Sequence, residues 1–309
     1  MSAARAVVFA YHDVGVRCLK VLLSAKVEVP LVVTLRDDPN EHRWFASVAE
    51  TAREYALEVS MPDDPNGTGF AEHLAGLQPD FVFSFYYRSL LGARLLNCAR
   101  RGALNMHGSL LPKYRGRAPV NWAILNGERE TGATLHYMVD RADAGDIVDQ
   151  LAVPILEDDE APEVFAKVTA AAEIVLARSL PGLIAGNAPR RAQPIEPGQY
   201  FGRRRPEDGR IDWCQPAVRI HNLVRAVAPP FPGAFTEVDG RLWWIHRTRL
   251  EPRIIRPAQR ARLFGEQGRC YAACADGGVL RILAAATAEG PVDLTQRSRE
   301  LEARPAALD

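Results

Sequence analysis

A carboxamide and an imidazole stand two residues apart in the run Asn105-Met106-His107-Gly108-Ser109-Leu110-Leu111-Pro112-Lys113-Tyr114-Arg115-Gly116-Arg117-Ala118-Pro119. In an extended chain residues i and i+2 share a face. Both side chains can therefore address one substrate atom, Asn105 as a hydrogen-bond donor and His107 as an acid or base. A lone histidine is more often a hydrogen-bonded structural residue, but the neighbours of this one point to chemistry. Gly108 permits close approach of backbone or ligand, and Pro112 and Pro119 stiffen a loop bearing Lys113, Arg115 and Arg117. The bland alternative for that loop is a solvated charged turn.

A second polar cluster, Val139-Asp140-Arg141-Ala142-Asp143-Ala144-Gly145-Asp146, lies between two β-prone runs, Thr131 to Met138 and Ile147 to Ile155. It reads either as a plain turn or as the source of a carboxylate that reaches His107, fixes its tautomer and raises its pKa. Spacing does not choose among Asp140, Asp143 and Asp146. An asparagine, a histidine and an aspartate without a nearby nucleophile argue for direct acyl transfer. Ser109 lacks the flanking glycines of a nucleophile elbow and reads as a loop-structuring hydroxyl. Neither a G-x-G-x-x-G nor a Walker sequence occurs; Gly67-Thr68-Gly69 reads as loop.

Buried strands must carry these groups. Ala6–Tyr11, Leu31–Leu35 and Phe81–Phe85 are short apolar runs, and helical spacing follows through Leu19, Leu22 and Leu23, over Phe45–Tyr55 and over Leu90–Ala99. Strands alternating with helices imply parallel pairing through right-handed crossovers, hence an open α/β sheet. In such sheets ligands sit beyond the carboxyl ends of the strands, and Asn105 and His107 fall at the end of the run Gly102–Leu104. Pro162–Leu183 is one long helical pattern. The Pro- and Gly-rich stretch to Pro206, with Arg203-Arg204-Arg205, reads as an exposed linker. Beyond Ile211-Asp212-Trp213 come a helix over Pro216–Ala228 and strands at Phe235–Val238, Leu242–Ile245, Arg269–Cys274 and Val279–Leu283, a small β-rich domain read as a barrel. The tail from Glu289 has weak structure signals and reads as fraying. The boundaries expected are 1–188, a linker at 189–206, and 207–309.

The 309 residues suffice for a large core, and 38 basic against 38 acidic residues leave no net charge, which disfavours wholesale nucleic-acid binding. Cys18, Cys98, Cys214, Cys270 and Cys274 form no disulfide framework, and neither a signal peptide nor an apolar run long enough to span a bilayer is read, so the expected compartment is a reducing cytoplasm. Cys270 and Cys274 read as buried small side chains and not as a zinc site.

The stretch NMHGSLLPKYRGRAPVNWAILNGERETGATLHYMVDRADAGDIV resembles the signature of 10-formyltetrahydrofolate-dependent formyltransferases. With VVFAYHDVG (Val7–Gly15), FSFYYRSLL (Phe83–Leu91), FGRRRPEDGRIDW (Phe201–Trp213) and HNLVRAVAPPFPGAF (His221–Phe235), the chain is similar to the formyltransferase half of bifunctional polymyxin-resistance proteins of the ArnA type. The match covers nearly the whole chain. It implies a Rossmann-like, mostly parallel folate-binding domain followed by a small oligonucleotide-binding-type (OB-like) barrel. It further implies Asn105 as oxyanion-stabilising group, His107 as general acid/base and Asp143 as the carboxylate that raises the histidine pKa. Contacts to 10-formyltetrahydrofolate carry over to Ser89, Leu90, Leu91, Arg117 and the loop Val139, Asp140, Arg141, Ala142 and Asp143, with no metal.

The acceptor implied is the amine of a nucleotide-linked amino sugar, UDP-4-amino-4-deoxy-L-arabinose in lipid A modification, or else a dTDP-linked sugar. Arg225 and Phe231 are weaker candidates for nucleotide contact. The chain ends at Asp309 without a decarboxylase half, which implies a separate partner polypeptide; self-association stays open. Methionyl-tRNA is the runner-up acceptor, against which the acid-rich Arg36-Asp37-Asp38-Pro39-Asn40-Glu41 speaks and for which Arg203–Arg205 speaks. A non-catalytic sugar-nucleotide or folate-binding module would not need an acid/base pair, and an NAD-dependent sugar enzyme would need the missing glycine fingerprint.

Overall fold

The computed structural model describes residues 3–37, 43–196, 200–254 and 260–308. Asp38 to Glu41 of the acid-rich loop, Pro197 and Gly198 of the expected linker, and Asp309 lie outside the described residues. The chain forms two compact units, one of Met1–Pro119, Glu130–Val153 and Phe165–Gly202, the other of Val120–Arg129, Pro154–Val164 and Arg203–Asp309. Where the sequence suggests one boundary, the chain passes between units several times.

In order, the first part of the chain runs β1 (Arg5–Ala10), α1 (His12–Ser24), β2 (Glu28–Val33), α2 (Val48–Glu54), β3 (Val59–Ser60), α3 (Thr68–Gly76), β4 (Phe81–Phe85), α4 (Ala93–Leu96), β5 (Gly102–His107), β6 (Arg115–Gly116), α5 (Pro119–Leu125), β7 (Glu130–Tyr137), β8 (Ile147–Pro154), α6 (Ala161–Ala185) and β9 (Tyr200–Phe201). The main sheet has the order β3-β2-β1-β4-β5-β7-β8. Pairing is parallel from β3 to β5, and β7 lies antiparallel to β5. The strand order reverses between β1 and β4, so a crevice opens beyond their carboxyl ends.

Burial on both faces explains why β1 and β4 are apolar almost without interruption. Every residue of Phe81–Phe85 is buried. On one side Val7, Phe9, Leu31, Val33, Leu74, Val82 and Leu95 form a core cluster. Gly67-Thr68-Gly69 opens α3 and is not loop; α4 is a single turn, much shorter than the apolar spacing of Leu90–Ala99 suggests.

Contrary to the sequence reading, α6 has the length and apolarity of a membrane-crossing helix. It serves as a core helix: Val168, Ala172, Val175, Leu176, Leu180 and Leu183 are buried. The segment read as linker is also structured. Arg191 exchanges both backbone hydrogen bonds with Ile147, and β9 pairs in parallel with β6.

The later part of the chain contributes a short 3-10 turn at Pro206–Gly209, α7 (Ala217–Ala226), β10 (Ala234–Val238), β11 (Arg241–Ile254), β12 (Arg262–Glu266), β13 (Arg269–Ala273), β14 (Gly278–Thr287), β15 (Gly290–Pro291), α8 (Leu294–Ala303) and β16 (Ala306–Ala307). The antiparallel sheet β10-β11-β14-β13-β12-β16, with β15 on β14, curls into a nearly closed barrel. Register shifts along β11 supply the bend. Its core holds Trp213, Ile220, Trp243, Ile245, Leu263, Leu280 and Ile282.

The tail does not fray. Asp293 caps α8 by accepting from the backbone N–H groups of Thr295 and Gln296; Leu301 and Leu308 are buried, and β16 pairs with β12. Cys270 and Cys274 are buried, which pushes their thiols up to about 11 and about 12.

Candidate active site

Strand β5 continues through both chemical residues and does not stop at Leu104. Its pairing with β7 sets Asn105 opposite His136 and His107 opposite Thr134. Alternation then gives the expected result: Asn105 and His107 share a face, while Met106 is buried on the other.

One carboxylate meets both. Asp143 Oδ1 accepts from Asn105 Nδ2 at 3.4 Å and lies 3.7 Å from His107 Nδ1 and 3.6 Å from His136 Nε2. Its other oxygen accepts from the Gly116 N–H at 2.9 Å. Of the three aspartates that spacing left open, the geometry brings Asp143 to the ring; Asp140 is exposed and Asp146 pairs with Arg190. Burial alone would push the Asp143 carboxyl up. The positive ends presented by His107 and His136, with the Gly116 amide, outweigh it and hold the group well below the usual carboxylate range.

The protons on the rings follow from their partners. His107 Nε2 lies 2.8 Å from the Tyr114 carbonyl oxygen. A carbonyl only accepts, so Nε2 carries a proton and Nδ1, facing Asp143, is the nitrogen that can gain or lose one. The tautomer is thus set by Tyr114 and not, as the sequence suggests, by the carboxylate. Tyr114 presents that carbonyl from a left-handed conformation, φ 57°. By the same logic His136 donates through Nδ1 to the Tyr137 carbonyl, and its Nε2 lies 3.1 Å from Asn105 Nδ2 and 3.6 Å from Asp143 Oδ1.

His136 is absent from the sequence-level site. Its only signal is a histidine within an apolar strand, and its partnership with Asn105 exists only across the ladder.

The supporting loops are built from short-range bonds. Ser109 is fully buried and donates to the Lys113 carbonyl at 2.6 Å, while Thr134 donates to the Ser109 carbonyl at 2.6 Å. The hydroxyl of Ser109 therefore shapes the loop. Arg115 is buried, which the bland alternative of a solvated charged turn would not give. Asp143 itself sits at φ 53°, and Gln193 donates to the carbonyls of Asp143 and Gly145 at 3.1 and 2.6 Å. Gln193 thus clamps the carboxylate's loop from 50 residues away in sequence, invisible to any local reading.

The remaining candidates lie as follows. Asn66 braces the turn at Ser89, Leu90 and Leu91, donating to the Leu90 carbonyl at 2.9 Å and accepting from Gly92 N–H at 2.7 Å. Leu90 stays 68% exposed, an apolar side chain held out toward solvent. Arg117 reaches the same turn through the Arg88 carbonyl at 3.4 Å. Val139, Asp140 and Arg141 are exposed, and Ala142 half-buried, on the loop that ends in Asp143.

Arg225 and Phe231 fall in the other unit. Arg225 is buried and places its guanidinium on Asn222 Oδ1 and on the Asp159 and Leu156 carbonyls, so it secures packing there. Phe231 packs on the barrel core. Both residues make packing contacts within that unit.

Residues 16–180 match the formyl transferase family and residues 204–294 the formyl transferase C-terminal domain. The chain belongs to the formyl transferase family. Among solved structures it is similar to the N-formyltransferase from Helicobacter canadensis in complex with folinic acid and dTDP-3-aminofucose, at 20% identity over 91% of this chain and 99% of that one, with a TM-score of 0.73. It is also similar to WlaRD, a sugar 3N-formyl transferase crystallised with dTDP and 5-N-formyl-THF, at 18% identity over 91% and 97% of the two chains and a TM-score of 0.71. A sugar N-formyltransferase from Shewanella matches at 20% identity over 82% and 99%, with a TM-score of 0.62. At these identities the likeness is one of fold.

Proposed function

We propose that this enzyme moves a formyl group from 10-formyltetrahydrofolate to the amine of a nucleotide-linked amino sugar, with UDP-4-amino-4-deoxy-L-arabinose as acceptor, in the ArnA-type branch of the family and in the cytoplasm. The observation that carries this is the convergence of Asn105, His107 and Asp143 on one face of β5, in a chain whose fold matches enzymes solved with folates and with dTDP-3-aminofucose or dTDP.

The residues around the face fit a folate. The exposed apolar side chains of Leu90 and Val139 offer contact to a flat ring, Asn66 holds the turn at 89–91 rigid, and Arg117 brings a cation beside it. When bound, 10-formyltetrahydrofolate supplies the formyl carbon.

The chain's own groups then do three things. Asn105 donates toward the formyl oxygen as charge collects on it, and the amide proton now held by Asp143 at the longer 3.4 Å contact is the one to be redirected. His107 holds or releases a proton at Nδ1, the nitrogen not committed to Tyr114. Asp143, kept ionised, stabilises the ring when both nitrogens are protonated. A single preorganised donor of this kind is worth roughly 3 to 4 kcal/mol.

The expected outcome is that Asn105→Ala lowers kcat about 10²- to 10³-fold and His107→Ala about 10²- to 10⁴-fold, each with the fold retained by circular dichroism. Near-wild-type turnover by either variant would refute the assignment. Mass spectrometry of UDP- and dTDP-linked amino sugars incubated with enzyme and 10-formyltetrahydrofolate identifies the acceptor, with initiator methionyl-tRNA as the competing substrate.

A further inference from the structure

Among the largest fully buried side chains is a cation, Arg115, 2% exposed. Its Nε is buried and has no hydrogen-bond partner among the described residues. A guanidinium keeps its charge in a protein and carries five N–H donors in a fixed fork. Withdrawing such a cation from water without a matched partner costs several kcal/mol. Packing alone does not call for it, because an apolar side chain of the same length fills the space without that penalty.

The place of the charge says what it acts on. Arg115 and Gly116 form β6, which pairs in parallel with Tyr200 and Phe201 of β9. The peptide joining Arg115 to Gly116 carries the N–H that holds Asp143 Oδ2 at 2.9 Å. The same backbone link that grips the carboxylate therefore brings a cation to it. Burial pulls the guanidinium below the ordinary arginine range, the like charge of Arg141 adds to that, and the Asp143 carboxylate pulls the other way. With Arg115 closed off and the Asp143 side chain only 15% exposed, little water stands between them to screen the attraction.

The charged and titratable groups around Asp143 are few. His107 faces it from β5 and His136 from β7; Arg115 comes from β6 and Arg141 from the carboxylate's own loop. The other charges on these segments are engaged elsewhere or exposed: Asp146 pairs with Arg190, Arg117 turns to the Arg88 carbonyl, and Asp140 and Lys113 face solvent. A carboxylate 3.7 Å from Nδ1 favours the doubly protonated ring of His107. A fixed cation beside that carboxylate opposes this twice, by repelling the imidazolium and by drawing on the same negative charge. Both effects make Nδ1 give up its proton at a lower pH than it would beside Asp143 alone.

We propose that Arg115 is a positioning residue for the proton of His107: its buried cation offsets the Asp143 carboxylate, so that the ring releases a proton at Nδ1 as readily as it holds one. The proposal rests on the reading that His107 and Asp143 carry the acid/base step.

The test compares the full chain with Arg115→Met, which keeps the stem and removes the charge, and with Arg115→Lys, which keeps the charge. The His107 ring is titrated by NMR, its signal assigned by its loss in His107→Gln, and the thermal midpoint is recorded for each protein. In Arg115→Met the titration is expected to move to higher pH by at least about half a unit, about threefold in proton affinity, while Arg115→Lys stays within about 0.2 unit of the wild type. The pH profile of kcat/KM with UDP-4-amino-4-deoxy-L-arabinose and 10-formyltetrahydrofolate should move with it. The midpoint of Arg115→Met should equal or exceed that of the wild type, since a buried unmatched charge has gone. An unmoved His107 titration in Arg115→Met would overturn the proposal, and so would failure of that variant to fold, because the guanidinium would then serve the loop as a structural tie. If His107→Gln abolishes transfer and only the Arg115 pattern fails, the role of Arg115 alone falls; if His107→Gln transfers formyl at the wild-type rate, the acid/base reading falls with it.

Discussion

At the scale of single residues the site is a set of proton positions fixed by acceptors. Tyr114 and Tyr137 each take one proton from a histidine, and what is left faces Asp143. Backbone carbonyls do not titrate, so they hold both rings in these orientations as pH changes.

A different histidine sets the acid sensitivity of the fold. His12 is buried among Trp44, Phe45 and Phe165, and burial, followed by the nearby Arg88 charge, brings its pKa down to about 3. The unfolded chain binds that proton near pH 6.5 and the folded one does not. Stability is therefore complete above about pH 6.5 and falls by up to about 1.4 kcal/mol per unit as pH drops toward 3. His12 sits at φ 67°, which asparagine tolerates. Denaturant titrations between pH 7.5 and 5 should show a shallower acid loss for His12→Asn than for the wild type; equal slopes would remove His12 as the cause.

Gly108 gives a second prediction. A Cβ there would lie 1.8 Å from the Tyr86 hydroxyl oxygen. Gly108→Ala should cost about 1 to 3 kcal/mol. Among the described residues the Tyr86 hydroxyl is buried without a hydrogen-bond partner, so Tyr86→Phe alone should be neutral or stabilising and should relieve part of the Gly108→Ala cost. Strict additivity in the double-mutant cycle would contradict the steric account.

At the scale of elements, the strands that hold the site were readable because burial on both faces leaves a continuous apolar signature: Ala6–Tyr11, Leu31–Leu35 and Phe81–Phe85 all became strands. Asn105 and His107 were readable because their relation is local, two residues along one strand. His136 and Gln193 were not, since each becomes part of the site only through a strand or segment far away in sequence.

The tail failed for another reason. α8 is polar nearly throughout and is fixed by one buried leucine, Leu301, and one cap, with Leu308 buried beyond its end, too few apolar positions for periodicity to register. Those anchors are nevertheless strong. Leu301→Ala should destabilise the barrel unit by about 2 to 5 kcal/mol, measured as a lowered denaturation midpoint; a shift within error would mean that α8 is dispensable.

At the scale of the whole molecule, 38 positive and 38 negative side chains leave no net charge near neutrality. Little long-range repulsion keeps copies apart, so solubility should pass through a minimum near pH 7 and rise on moving a unit or more to either side. Static light scattering across that range checks this, and a flat profile would contradict it.

The expected passive linker carries the remaining lesson. Its amide at Gln193 grips the Asp143 and Gly145 carbonyls while Arg191 is bonded to Ile147 and Arg190 pairs with Asp146. What looks like a tether is therefore a latch. Tryptic nicking at Arg190 or Arg191 would silence the enzyme while leaving every reacting side chain covalently whole, and an inhibitor could act there from outside the cleft by prying one amide loose.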